Sequence, residues 1–599
     1  MPATRYRITP RDPHAHLFEV ACIVEQPDRD GQRLRLPAWI PGSYLIREFA
    51  RHVVHVRAEC DGRPVRIVKE SKDTWRAARC TGTLVVTADV YAFDLSVRTA
   101  YLDGRRAFFN GSSVFLCPEG REKLPCIVDI EASPATRDWR VATTLPRDGA
   151  PPWGYGRYRA ADYDELVDHP VEIADFAHVA FEAGGATHDV VVSGRHEGDL
   201  PRLAQDLARI CQWQADLFHG APGGRAPFDR YLFLVAVVGD GYGGLEHRAS
   251  TALIASRNGL PRAGVARVDD DYRSFLGLAS HEYFHSWNVK RIKPAAFVPY
   301  DLAREAYTRQ LWAFEGFTSY YDDLALVRSG VIDVASWLEL AGRTISTVLR
   351  TPGRRLQSVA ESSFDAWIKY YRQDENSPNA VVSYYTKGAV VGMALDLTLR
   401  EAGSSLDELM RTLWKRFGQA GVGVPEDGIA KLASELAGRD LASFFARFVD
   451  GIEDPPLAEL LAGVGIRLRT RPALGTRDRG GTRGRDDEAP RATLGAKVAA
   501  GAEARLQFVF ADGPAQRAGL AAGDVVIAAD GIKVGADGLD TALGRRAPGD
   551  RLALHVFRRD ELMTFDVTLG RAEDDTCWLA IDADAAPDAM ARRKAWLGA

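Results

Sequence analysis

The pattern of apolar and polar positions changes along the chain, and each change predicts a different kind of structure. Up to about residue 170, short apolar runs such as Leu84-Val85-Val86 and Val114-Phe115-Leu116 alternate with Gly, Asp and Asn turns, which predicts a β-sandwich. From about residue 185, apolar residues recur at helical spacing around one buried strand at 231–238. The predicted long helices are 271–290, 302–328, 335–349, 387–402, 404–417 and 441–449.

A polar segment then interrupts the apolar pattern. Residues 469–490 are dense in Arg, Asp and Gly and cannot form a core, so they are predicted to be a linker or a disordered loop. A compact pattern resumes over 491–572, and a C-terminal tail is predicted at 573–599. With a β-rich domain at 1–170 and a mixed region at 171–468, the chain is predicted to be a multidomain α+β protein.

Composition narrows the classes of partner and compartment. A chain of 599 residues exceeds what one core supports, so three or four domains are expected. The net charge of -5 gives no electrostatic reason to expect nucleic acid or an anionic membrane as a partner. Seven cysteines without Cys-x-x-Cys spacing, together with no visible signal peptide or membrane-spanning run, predict a reduced protein in the cytoplasm.

The strongest chemical signal is the segment His281-Glu282-Tyr283-Phe284-His285. Residues four apart share one face of a helix, so His281 and His285 can bind one metal ion while Glu282 lies beside them. Zinc hydrolases use this arrangement, in which two imidazoles hold the metal and the carboxylate acts as general base. The alternative is an exposed helix with two unrelated histidines, and the apolar residues that flank the motif disfavour it.

A zinc site needs a further protein ligand, and two downstream glutamates are candidates. Glu315 follows His285 by 30 positions and is an isolated carboxylate among aromatic residues, where a buried charge requires a metal or a cation. Glu305 follows His285 by 20 positions and lies in a polar stretch that is typical of a solvated helix start. The sequence therefore favours Glu315 and keeps Glu305 as the alternative.

Two further motifs carry candidate chemistry. The stretch 239–244 contains Gly-x-Gly-x-x-Gly, but a strand rather than a helix is predicted at 249–254, which disfavours a dinucleotide fold. A glycine-rich loop leading into an edge strand is predicted instead, with Glu246 facing the cleft to hold a substrate amine; a surface hairpin is the alternative. Tyr385 opens a predicted helix, where its hydroxyl either stabilises a developing oxyanion or packs in the core.

In combination, these motifs resemble those of the gluzincin aminopeptidases. The motifs that carry this resemblance are His281-Glu282-x-x-His285, Trp312-x-x-Glu315-Gly316, Gly243-Gly244-Leu245-Glu246-His247 and Tyr385-x-Lys387-Gly388. The segment 39–49 and the C-terminal module resemble the glycyl aminopeptidase family in particular. The resemblance covers nearly the whole chain and implies a thermolysin-like zinc peptidase domain with a helical region at 171–468 and a PDZ domain at 491–572.

The resemblance also implies a zinc-dependent mechanism. His281, His285 and Glu315 are expected to hold one Zn²⁺ per chain. Glu282 is expected to deprotonate the zinc-activated water that attacks the scissile carbonyl. Tyr385 is expected to stabilise the resulting oxyanion together with the metal.

The implied reaction is removal of the N-terminal residue, with Gly or Ala preferred, from peptide substrates. Glu246 is expected to pair with the free α-ammonium, next to Gly243 and Gly244 in the substrate site. The loop 494–496 of the PDZ domain is expected to bind a peptide C-terminus. Two other functions stay open at this point: a PDZ-type adaptor with an inactive peptidase domain, and a zinc endopeptidase.

Overall fold

The fold is described from a computed structural model, which covers residues 2–475, 477–484 and 490–598. These residues form two compact units. The first unit contains the described residues up to Ala306 together with Arg411–Val424, and the second contains Tyr307–Met410 and the described residues from Pro425 onward. Within the described ranges, no helix has the length and apolar character that crossing a membrane requires.

The N-terminal part of the first unit is built from three β-sheets that share one apolar core. Buried and partly exposed residues alternate along Thr4–Asp12, so one face of this strand contributes to the core. The seven-stranded sheet has the order Gly156–Ala160, Cys126–Ile130, Thr4–Asp12, Leu17–Val24, Leu84–Tyr91, Val53–Cys60 and Arg63–Val65. The first four-stranded sheet has the order Arg140–Ala142, Val171–Ala174, Arg106–Phe109 and Ala100–Leu102. The second has the order Cys117–Pro118, Arg33–Arg35, Thr74–Ala77 and Ile67–Lys69. The predicted β-rich N-terminal domain is confirmed.

A five-stranded sheet follows in the same unit and holds the glycine-rich motif at its edge. Arg230–Val238, the predicted buried strand, lies at its centre because its residues are apolar on both faces. The edge strand Tyr242–Glu246 runs antiparallel to Ser250–Ser256. The sheet order is Ala177–Ala183, Ala186–Ser193, Arg230–Val238, Ser250–Ser256 and Tyr242–Glu246. The helices Leu200–His219 and Asp270–Phe284 complete this region.

The chain after Ala306 is mainly helical up to the PDZ region. Its helices are Leu311–Phe314, Gly316–Arg328, Val334–Leu349, Val359–Phe364, Ser377–Ala380, Thr386–Glu401, Leu406–Leu413, Gly428–Ala437, Ala442–Phe448 and Leu457–Ala462. Three of the predicted helices, at 335–349, 387–402 and 441–449, agree with this set to within one or two residues.

Two predicted helices are much shorter than their sequence patterns indicated, and the one predicted at 404–417 is the α-helix Leu406–Leu413 followed by a π-helical turn at Trp414–Gly418. The helix predicted at 271–290 ends at Phe284, because the following residues turn back on the helix end, with the Lys290 amide donating to the His285 carbonyl. The helix predicted at 302–328 begins only at Leu311. The Thr308 hydroxyl instead donates to the Glu426 carboxylate, 118 positions away in sequence, at 2.7 Å. A long-range contact therefore overrides the local helical pattern.

The predicted PDZ region forms a small domain with its own core in the second unit. Its buried apolar residues include Leu506, Val526, Leu539, Leu554 and Val567. Its strands are Ala492–Thr493, Ala496–Val498, Ala504–Val509, Val525–Ala529, Ile532–Lys533, Arg551–Arg558, Glu561–Thr568 and Gly570–Arg571, and its helices are Pro514–Ala518 and Ala536–Gly544. The multidomain α+β class is confirmed.

The segments flanking the PDZ region are more structured than the sequence pattern predicted. The first residues of the predicted linker belong to the strand Ile466–Arg471, which pairs with Thr576–Ile581 in the predicted C-terminal tail. The tail also forms the helix Pro587–Leu597, because Trp596 and Leu597 are buried. The rest of the predicted linker includes residues 476 and 485–489, which lie outside the described residues.

Candidate metal centre

The helix Asp270–Phe284 positions the two histidines in the first unit. Asp269 caps its N-terminus by accepting a hydrogen bond from the Tyr272 amide at 3.0 Å. Its apolar side is buried, with Phe275, Leu276, Tyr283 and Phe284 in the core. The polar residues of the motif therefore lie on a helix that is anchored along its length.

His281 and His285 lie close together at the end of this helix. Their ring centroids are 4.7 Å apart and their planes are nearly perpendicular, at 85°. Nδ1 of His285 lies 2.6 Å from the Asn288 carbonyl oxygen, which can only accept, so Nδ1 carries the proton and Nε2 is the nitrogen that could bind a metal. A histidine oriented by a backbone carbonyl in this way is typical of metal sites, so the residues present fit a zinc ion.

Two buried carboxylates lie beside these histidines. Glu282 is 5% exposed and Glu246 is 3% exposed. Each offers one oxygen that lies within 4.8 Å of the other and of a ring nitrogen of His285. Among the described residues, no hydrogen-bond donor reaches Oε1 of Glu246. Two buried carboxylates at this separation require a cation or a proton, because like charges repel strongly away from water.

Gly244 gives the Glu282 carboxylate the space that it occupies. A Cβ added at Gly244 would lie 2.1 Å from Oε1 of Glu282, much closer than any non-bonded contact. Gly243 differs, since none of the described atoms lies within 4 Å of a Cβ added there. The glycine pair predicted to bind substrate therefore has one member packed against the predicted base and one facing open space.

This contact predicts the effect of a single methyl group. We expect Gly244→Ala to lower kcat about 10²-fold or more, because it displaces the Glu282 carboxylate and so removes part of a general-base contribution of roughly 10²–10⁴-fold. Gly239→Ala is the matched control in the same loop, since its nearest neighbour would be Nη1 of Arg257 at 3.7 Å. Steady-state kinetics of the two variants makes the comparison, and equal activities would contradict the steric argument.

A buried charge cluster holds the end of the strand that carries Glu246. Asp168 forms an ion pair with Lys290 at 2.7 Å and accepts a hydrogen bond from the Arg248 amide at 3.0 Å. Burial alone would raise the pKa of Asp168, but the charges of Lys290 and Arg248 hold it well below its usual range. The sequence analysis missed this cluster, because Asp168 and Arg248 are 80 positions apart and no local pattern links them.

Glu315 lies in the second unit, between the helices Leu311–Phe314 and Gly316–Arg328. Its side chain is almost fully buried, at 2% exposure, as predicted, whereas Glu305 is half-buried in an irregular segment. A Cβ added at Gly316 would lie 2.5 Å from the carbonyl carbon of Gly388, so the backbones are in close contact at this point. This contact fixes the segment that carries Glu315.

Tyr385 immediately precedes the helix Thr386–Glu401 in the same unit, as predicted. Its hydroxyl lies 3.0 Å from the Tyr371 hydroxyl, and its ring is stacked on that of Tyr384 at 4.7 Å. Burial raises the pKa of Tyr384 well above its usual value, and Tyr371 and the negative charge of Glu315 add to this effect. Tyr385 thus belongs to a tyrosine cluster in which the charge of the Glu315 carboxylate acts on Tyr384.

The remaining predicted motifs are also in place. The Gly-x-Gly-x-x-Gly stretch leads from Arg230–Val238 into the edge strand Tyr242–Glu246 and not into a helix, so it does not form a dinucleotide-binding turn. In the PDZ domain, Gly495 adopts a left-handed φ of +69° and accepts a hydrogen bond from the Phe510 amide at 2.9 Å. The predicted carboxylate-binding loop is therefore closed by a backbone hydrogen bond.

Three family profiles match separate parts of the chain. The peptidase M61 N-terminal domain matches residues 5–175, the M61 glycyl aminopeptidase matches residues 274–391, and a PDZ domain matches residues 467–569. The second match contains both histidines, Glu282, Glu315 and Tyr385. The PDZ match begins in the strand Ile466–Arg471, earlier than the predicted boundary at 491.

Several solved structures are similar to the chain. An aminopeptidase N family protein from Idiomarina loihiensis has 42% sequence identity and a TM-score of 0.95, over 99% of this chain and 100% of that protein. An M1 zinc metallopeptidase from Deinococcus radiodurans has 14% identity and a TM-score of 0.48, over 76% of this chain and 95% of that one. Aminopeptidase A from Legionella pneumophila has 13% identity and a TM-score of 0.48, over 75% of this chain and 49% of that one. No curated protein matches the chain in sequence.

Proposed function

Because the chain belongs to the M61 glycyl aminopeptidase family, we propose that it removes the N-terminal residue of peptides and prefers glycine or alanine at that position. The family assignment makes the chain a zinc metallopeptidase. Cleavage restricted to the first residue requires a group that recognises the free α-ammonium. The observation that carries this proposal is the buried Glu246 carboxylate, which lies within 4.8 Å of Glu282 and His285 and has an oxygen that no described donor reaches.

His281, His285 and Glu315 are the residues that would hold one Zn²⁺ per chain. The donor set of two imidazoles and a carboxylate is one that zinc prefers in catalytic sites. The bound ion supplies Lewis-acid chemistry, because it polarises a carbonyl and makes water more acidic. The fixed proton on Nδ1 of His285 and the burial of Glu315 support this assignment.

Glu282 is the proposed proton carrier of the reaction. Its carboxylate takes a proton from the attacking water and then delivers it to the nitrogen of the leaving amine. Gly244 supports this role, because a residue without a Cβ leaves room there for the carboxylate to lie beside His285. The Tyr385 hydroxyl donates a hydrogen bond to the oxyanion of the tetrahedral intermediate, and its position at a helix start within a tyrosine cluster supports this role.

Glu246 is the proposed anchor for the substrate. A protonated α-amine that enters the site supplies the cation that the pair Glu246 and Glu282 requires, and a charge-assisted hydrogen bond to Oε1 of Glu246 is its strongest contact. Gly243 and Gly244 line the approach to this position on the same edge strand. The PDZ loop at 494–496 is proposed to bind a peptide C-terminus by strand addition.

One assay tests the proposed function. We expect the protein to contain about one zinc per chain and to hydrolyse glycine p-nitroanilide at least about 100-fold faster than its N-acetylated form, since acetylation removes the ammonium that Glu246 binds. Glu246→Ala should lower kcat/KM for the free amine about 10- to 100-fold. Equal cleavage of both substrates would favour an endopeptidase, and absence of both zinc and turnover would favour a peptide-binding adaptor.

A further inference from the structure

Gly42 in the N-terminal domain lies against the proposed amine anchor, Glu246. A Cβ added at Gly42 would lie 2.4 Å from each carboxylate oxygen of Glu246 and 2.6 Å from its Cδ. These atoms are 204 positions apart in sequence, and both belong to the first unit. We propose that Gly42 is a positioning residue for aminopeptidase activity, which lets the Glu246 carboxylate lie in the orientation that receives the substrate amine.

The three distances define which edge of the carboxylate faces the turn. The added Cβ would be equally close to both oxygens and farther from Cδ, so it would lie in front of the edge formed by the two oxygens. The Glu246 carboxylate therefore packs directly against the backbone of Gly42. Any side chain at this position would have to occupy the space of the carboxylate itself.

The turn that contains Gly42 is held firmly, so it cannot yield to a clash. The Ser43 amide donates to the Ile40 carbonyl at 3.1 Å, and the Arg47 guanidinium donates to the Ser43 hydroxyl at 2.7 and 3.0 Å. Just before the turn, Nε1 of Trp39 donates to the Asp301 carbonyl at 2.8 Å. Hydrogen bonds thus connect the turn internally and also to the chain that follows the helix Asp270–Phe284.

The Glu246 carboxylate is the partner that would move. No described donor reaches its Oε1, so this oxygen has no hydrogen bond to oppose a change of rotamer. The backbone of Glu246 is fixed by its pairing with Thr251, so a change of rotamer would carry the carboxylate away from Glu282 and His285. The N-terminal domain thus acts on recognition of the substrate amine, and this inference rests on the role proposed above for Glu246.

The test is the substitution Gly42→Ala in the full chain. We expect kcat/KM for glycine p-nitroanilide to fall about 10- to 100-fold, mainly through KM, with zinc content unchanged. Gly42 has a φ of +94°, so alanine is also strained there. Gly149→Ala controls for this strain, because Gly149 has a φ of +103° and no described atom lies within 4 Å of its added Cβ. This control should keep kcat/KM within about twofold of the parent protein.

A double-mutant cycle shows whether Gly42 acts through Glu246. In the Glu246→Ala background, Gly42→Ala should have almost no further effect on kcat/KM, because the carboxylate that it displaces is gone. If Glu246→Ala lowers kcat/KM but Gly42→Ala behaves like the Gly149 control, or if the two losses multiply, the positioning role is wrong. If Glu246→Ala has no effect, the proposed amine anchor itself is wrong.

A second variant covers the case in which Gly42→Ala does not fold. Arg47→Ala removes both hydrogen bonds to Ser43 and adds no atoms beside Glu246. It should raise KM for the free amine about two- to tenfold, because a looser turn holds the carboxylate less firmly. A folded Arg47→Ala variant with unchanged KM would overturn the proposal.

Discussion

Replacing Glu282 by glutamine is expected to lower kcat by about 10²–10⁴-fold while the protein keeps its zinc, because the amide cannot accept the proton that the reaction releases. Glutamine has nearly the same shape as glutamate, so the packing against Gly244 is retained. Because the side-chain shape is kept and the helix that carries Glu282 is anchored by its buried apolar side, we expect little change in the free energy of unfolding. The substitution therefore separates proton transfer from metal binding.

The measurement compares kcat, zinc content and thermal stability of the parent protein and Glu282→Gln. Asp271→Asn is the matched control, since it makes the same chemical change at an exposed position of the same helix. We expect the control to keep its activity. If Glu282→Gln retained more than about a tenth of the parent kcat, a general-base role for Glu282 would be untenable.

The sequence was most informative where local spacing defines the chemistry. His281 and His285 are four residues apart on one helix, and helical geometry alone places them side by side, as the ring separation of 4.7 Å shows. Glu246 lies on an edge strand, but that strand is Tyr242–Glu246 itself, whereas the strand predicted at 249–254 corresponds to Ser250–Ser256, one place inside the edge. In each case the relevant residues lie within one element or one turn.

The features that the sequence did not predict all depend on contacts between distant segments. Gly42 is a glycine in a turn, and only the fold shows that the Glu246 carboxylate lies against it. The ion pair of Asp168 and Lys290 joins two separate segments in the same way. The helix Pro587–Leu597 has a weak local pattern, and it is stabilised by the burial of Trp596, whose Nε1 donates to the Tyr320 hydroxyl at 2.7 Å. No periodicity within one segment encodes such contacts.

Replacing Glu315 by alanine is expected to remove most of the zinc, because it deletes the proposed carboxylate ligand from a three-residue donor set. Changes in the residues that merely orient metal ligands already lower affinity about 10- to 100-fold, so loss of a ligand should lower zinc affinity by at least about 100-fold. Activity should fall in parallel and recover partly when excess zinc is added. Glu315→Gln keeps the volume of this buried side chain and should also lose zinc. Because this variant leaves no cavity, its loss of zinc would exclude the cavity left by alanine as the cause.

Glu305→Ala is the decisive comparison, since Glu305 was the alternative ligand in the sequence and lies half-buried in an irregular segment. We expect it to keep about one zinc per chain after dialysis against a zinc-buffered chelator, whereas Glu315→Ala should fall well below that value. The reverse result would transfer the ligand role to Glu305. Retention of full zinc and activity by both variants would mean that neither glutamate completes the donor set of His281 and His285, and the proposed metal centre would then need a different third ligand.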